Sequence, residues 1–158
     1  MVLPSRPLTT TTTVRATGPG DPDDVWARYA TPRHWAQWSP QIRRVTGVPL
    51  DDAVVAGSSG TVHGPGFLAV SFTVPQADSR THRWSWRVRV GLVDLLMDHG
   101  VDPRVGTPGS TAWVRITGPL PIVLSYAPLA RPALRRLVSA SASASASASA
   151  SASGTVSP

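Results

Sequence analysis

The chain has 158 residues, 41% of them hydrophobic, enough for one folded domain with a real core. It carries no cysteine, which excludes a disulfide framework and thiolate metal sites. Its formal charge is +6, with 15 basic residues that are all Arg and 9 acidic residues that are all Asp; Lys, Glu and Asn are absent. That usage has the character of codon bias. Apart from Arg43-Arg44 and Arg135-Arg136 the arginines are scattered singly, not gathered into a stripe, so no nucleic-acid partner is expected. No apolar run of about 18 residues and no signal-peptide core is seen, so stable membrane insertion is not expected and the predicted location is cytoplasmic.

In chain order, Thr9–Thr17 has the β-branched composition of a strand, ended by Gly18-Pro19-Gly20. Asp21 then reads as an N-cap, with Pro22 at the first helical position and Asp23 and Asp24 complementing the helix dipole. Val25, Trp26, Tyr29 and Ala30 share one face of this helix. Thr31-Pro32 ends it and opens a second short helix, on which Trp35 and Trp38 share a face before Ser39-Pro40.

From Ile42 the period changes to two. Strands are predicted near Ile42–Val48 and, after a loop at Asp51–Gly60, at Gly60–Gly64, Phe67–Val74, His82–Val90, Leu95–Asp102 and Thr111–Thr117. Breaks at Pro65-Gly66, Gln76–Ser79 and Gly106–Gly109 predict tight hairpins, hence antiparallel neighbours. The Gly91–Asp94 connection has no clear signature.

Gly118-Pro119 closes the last strand. A long helix follows, with Leu120, Val123, Leu124, Ala127, Ala130, Leu134, Leu137 and Val138 along one face. Pro128 and Pro132 predict a kink or a break in it. After Val138 a strict Ser-Ala alternation runs to Ser153 and has no large apolar group to bury, although its alanines could let the helix run on for some turns. These divisions give an N-terminal tail at 1–8, a folded domain at 9–138 and a low-complexity Ser-Ala tail at 139–158.

The order strand, two short helices, antiparallel strands, long helix defines an α+β helix-grip fold, a curved antiparallel sheet wrapped around the C-terminal helix. Val25-Trp26 with Tyr29, Trp35 and Trp38, then Gly57 and Gly60 before a strand, Arg83-Trp84-Ser85-Trp86, His99 and Gly118-Pro119 complete a recognisable pattern. In these residues the chain resembles the START/Bet v 1-like (SRPBCC) superfamily, in its bacterial polyketide cyclase/dehydrase-like branch, over residues 9–138. The resemblance implies a cavity between sheet and helix that takes apolar or aromatic small molecules. Cyclases of this type position a poly-ketone with Arg, Tyr and Asn side chains. This chain has no Asn, and its Phe67–Val74 strand has no Arg, so no catalytic set carries over.

Candidate ligand-contacting residues are Trp38, Phe72, Trp84, Trp86, Met97, His99 and Leu124. Trp84 and Trp86 alternate with Arg83, Ser85, Arg87 and Arg89, which makes one face apolar and the other basic. Core packing and a cavity wall are both consistent with that face. Trp26 and Trp35 read as structural, and Trp38 as a residue of the cavity mouth. Leu95, Met97, His99 and Val101 share the face expected to point inward. His99 is therefore the single catalytic candidate, as an acid/base, against the alternative of a satisfied core histidine. Arg115 is assigned outward, because Ala112, Val114 and Ile116 make the simpler inner face.

His34, His63, His82 and His99 sit on separate elements without ligand spacing, so no metal is expected, and nothing implies a cofactor. There is no Gly-x-Ser-x-Gly elbow, and Gly57-Ser58-Ser59-Gly60 reads as a turn. Three functions follow in order: binding of a small hydrophobic or aromatic molecule, a polyketide cyclase/dehydratase activity, or a structural or regulatory protein whose cavity is self-filled. The inward faces are overwhelmingly apolar, which places binding first. Composition and motifs leave the oligomeric state unknown.

Overall fold

A computed structural model describes residues 8–152, with side chains described through residue 139. Most of the expected N-terminal tail and the end of the Ser-Ala tail lie outside the described residues. Seven strands form one antiparallel sheet: β1 (Thr9–Gly18), β2 (Arg44–Thr46), β3 (Ser59–His63), β4 (Ala69–Asp78), β5 (Arg83–Val90), β6 (Val93–Pro103) and β7 (Ser110–Pro119). Their spatial order is β1-β7-β6-β5-β4-β3-β2. β2 to β7 is thus a meander of successive hairpins, and β1 adds to its end by pairing with β7 in a ten-residue register from Thr9↔Pro119 to Gly18↔Ser110.

Between β1 and β2 lie α1 (Pro22–Ala30), a 3-10 turn (Pro32–His34) and α2 (Trp35–Trp38). The Asp21 carboxylate accepts from the Asp23 N–H at 2.9 Å, the expected cap. Val25, Trp26, Tyr29 and Ala30 are all buried, so α1 lays the predicted face on the sheet. α3 (Leu120–Ala152) packs against β1 and β7 and touches α1 and α2. This is the predicted helix-grip architecture.

Several boundaries moved for local reasons. β2 has only three residues, because the Ile42 N–H turns back to the Ser39 carbonyl and delays the ladder. β4 runs past Val74 and Pro75. A register shift between Thr73 and Gln76 absorbs the proline, which has no N–H to give, and the Val74 N–H goes to the Ser58 carbonyl instead. The hairpin expected at Gln76–Ser79 therefore falls later, after Asp78, whose carboxylate accepts from the Arg80 N–H. The unclear Gly91–Asp94 link is a two-residue turn. Val90 pairs with Val93, and Gly91 at φ 61 supplies the left-handed conformation this requires.

A kink or a break is expected at Pro128 and Pro132; α3 continues as one helix through both, so there is no break. Its buried residues from Val123 to Val138 hold it against the sheet on both sides of the prolines.

Candidate functional site

Curvature of the sheet carries β3 to β6 away from the start of α3, and a cavity of about 290 Å³ remains between them. Phe72 (β4), Trp86 and Val88 (β5) and Met97 (β6) form its sheet side; Ile122, Tyr126 and Leu129 form its helix side. Leu68 and Val90 border it as well and are partly exposed, as is Leu129, which marks the mouth. Two polar side chains enter this wall, Gln41 and Tyr126. Burial pushes the Tyr126 hydroxyl up to about 12, and the adjacent Gln41 side chain opposes part of that rise.

Beside it, a niche of about 20 Å³ lies among Tyr29, Trp35, Trp38, Trp84, Trp86 and His99. It shares Ile42, Trp86 and Tyr126 with the large cavity as common wall. The rings pack on one another. His99 stacks on Trp84, Trp35 stacks on the same indole (5.5 Å, 10°), and Tyr29 meets His99 edge-on at 5.1 Å. Most polar tips here are held by backbone: Trp35 Nε1 donates to the Tyr29 carbonyl (3.0 Å), Trp38 Nε1 to that of Arg28 (3.2 Å), and the Tyr29 hydroxyl to that of Trp113 (3.0 Å). Trp84 Nε1, Trp86 Nε1 and His99 Nδ1 differ. All three are buried without a protein hydrogen-bond partner. Burial lowers the His99 pKa from 6.5 to about 3, against backbone contacts at Trp84 and Met97 that favour the charged form, so the ring is neutral at pH 7.

The predicted residues thus divide. Phe72, Trp86 and Met97 line the large cavity, and Trp38, Trp84, Trp86 and His99 line the niche. Trp38 is half-buried at the niche, its ring perpendicular to that of Tyr29 and its N–H fixed to α1. Leu124 is a correction. It is 60% exposed and lines neither space, because α3 turns Ile122, Tyr126 and Leu129 to the cavity instead. That i, i+4, i+7 set was the available signal for Tyr126, and a neighbouring apolar stripe obscured it. Nothing local pointed to Gln41. Arg115 faces outward as assigned, with Ala112, Val114 and Ile116 buried.

A larger depression of about 660 Å³ borders the bulge and the outer face of the sheet, beside Asp98, Trp113 and Arg115. It is shallow and open to water, so it cannot enclose an apolar molecule as the inner cavity can. Among the described residues, no group of three His, Cys, Asp or Glu is placed to hold a metal, and no helix is long and apolar enough to cross a membrane.

A family model described as "Polyketide cyclase / dehydrase and lipid transport" matches residues 9–150. Among solved structures, the chain is similar to one described as "Crystal structure of Ara h 8.0201", with a TM-score of 0.67 and 13% identity, covering 85% of this chain and 99% of that one. At that identity the likeness shows the fold alone. No curated protein matches the chain.

Proposed function

Because the chain belongs to the polyketide cyclase/dehydrase and lipid transport family, we propose that it binds a small hydrophobic or aromatic molecule between its sheet and α3. The carrying observation is the cavity of about 290 Å³ walled by Phe72, Trp86, Val88, Met97 and Ile122. A space of that size against aromatic and aliphatic side chains favours an apolar ligand by removing its surface from water.

The low basicity of His99 supports binding over catalysis. A general base works best with a pKa near the operating pH, and a group titrating at about 3 is a weak proton acceptor at neutrality. The unfilled space itself supports binding over a structural role with a self-filled core.

Native mass spectrometry of the purified protein, with extraction of whatever it retains, tests the reading directly. The expected result is a bound apolar molecule, or saturable uptake of added naphthalene. Val88→Phe places a ring inside the cavity and should abolish that uptake while the protein stays folded. Uptake unchanged in this variant would locate binding elsewhere and defeat the proposal.

A further inference from the structure

The niche has a chemistry that an apolar ligand alone does not use. Two indole N–H groups, Trp84 Nε1 and Trp86 Nε1, and one imidazole nitrogen, His99 Nδ1, are buried without protein partners, and all three side chains line the same small space. A buried polar group left unsatisfied is costly, so three on contacting rings call for a common explanation. Indole N–H is a donor only, whereas a neutral imidazole offers one acceptor nitrogen.

We propose that this niche is a hydroxyl-recognition subsite, which selects apolar ligands carrying one hydroxyl group, such as phenols, over their hydrocarbon counterparts. The inference rests on the cavity reading above and names the class of molecule the cavity takes. A hydroxyl oxygen has two lone pairs for the two indole N–H groups and one proton for Nδ1, with His99 carrying its own proton on Nε2. A ketone oxygen would satisfy the indoles and leave Nδ1 without a donor. A carboxylate would bring a charge into a niche that no Arg lines. The size agrees: about 20 Å³ holds one oxygen but no ring. Ile42, Trp86 and Tyr126 border both spaces, so the niche adjoins the cavity in which the proposal seats the ring.

The test compares 2-naphthol with naphthalene at pH 7, by titration and by the indole N–H resonances of 15N-labelled protein, assigned with single Trp→Phe variants. The expected result is at least about tenfold tighter binding of 2-naphthol. The Trp84 and Trp86 resonances should move downfield with 2-naphthol and not with naphthalene. Those of Trp35, Trp38 and Trp113 serve as controls, because their N–H groups already bond to the Tyr29 and Arg28 carbonyls and to Asp102. His99→Phe removes the acceptor of the hydroxyl proton and leaves the two indole donors, so the preference should fall several-fold. An undiminished preference in folded His99→Phe overturns the role of Nδ1 and with it the hydroxyl assignment. Equal affinity for both probes, with the two indoles unmoved, means a niche filled by water only and overturns the inference while leaving cavity binding intact. Failure of both probes to bind overturns the inference together with the cavity reading. The wild-type comparison decides the matter if His99→Phe does not fold.

Discussion

His99 lies flat on Trp84, ring centroids 4.0 Å apart and planes 9° from parallel, one pair in from the open end of the β5–β6 ladder, where these two residues are also paired in register. The stack keeps the imidazole out of water and neutral, and the stability of the fold acquires a pH dependence from it. The folded pKa of about 3 is below the ordinary 6.5, so the unfolded chain binds a proton that the folded one refuses. The contribution is fully present above pH 6.5 and is lost as pH falls from there towards 3. His99→Phe retains a stacked ring and should remove this loss. Urea unfolding at pH 7.5 and 4.5 should show the wild type losing roughly 2–3 kcal/mol more than the variant over that interval. Equal losses would put the ring in solvent.

Trp35 joins the helix pair to the sheet. It is 1% exposed, stacks on Trp84, meets Phe72 and Trp86 edge-on, and donates its N–H to the Tyr29 carbonyl. Trp35→Ala should cost about 3–5 kcal/mol, because the surrounding rings are tied to separate elements and cannot close the void. Leu124→Ser, on the exposed side of α3, should stay within about 0.5 kcal/mol of the parent. Thermal melts of the two variants check both assignments, and a costly Leu124→Ser would contradict its exposure.

On the outer face Trp113 lies over Gly100, its N–H bonded to Asp102 Oδ2 at 2.9 Å and its ring flanked by Arg83 and Arg115 at 5.1 and 5.8 Å. A Cβ at position 100 would collide with this indole. Gly100→Ala should therefore destabilise by about 1–3 kcal/mol. The penalty should largely vanish in a Trp113→Ala background. An undiminished penalty there would mean that the backbone, not the indole, demands glycine.

The last large apolar side chains of α3 are Leu137 and Val138, both buried, and Val138 sits against Gly18 of β1. Beyond them the sequence offers Ser and Ala up to Ser153. Ending the chain after Ser139 should leave the melting temperature within about 2 °C of the parent, since little apolar area is removed. A drop of several degrees in a thermal melt would show that the family match extending to residue 150 reflects a docked segment.

The local grammar of this chain is legible in its sequence. Asp21-Pro22 announces a capped helix because an unpaired first-turn N–H needs an acceptor and proline has none to leave unpaired. The inward set Leu95, Met97, His99 and Val101 follows from the two-residue period of a strand, and all four are buried. Tertiary structure alone decided which stripe of α3 faces the cavity. Leu120, Ile122, Val123, Leu124, Tyr126 and Leu129 are apolar on more than one side, so helical period does not choose among them. The choice depends on where β3 to β6 curve away from the helix while β1 and β7 stay against it. The niche has the same origin. Three polar atoms are stranded there because rings from α1, α2, β5 and β6 meet at one point, and a space left by imperfect packing among distant segments has no signature in any one of them.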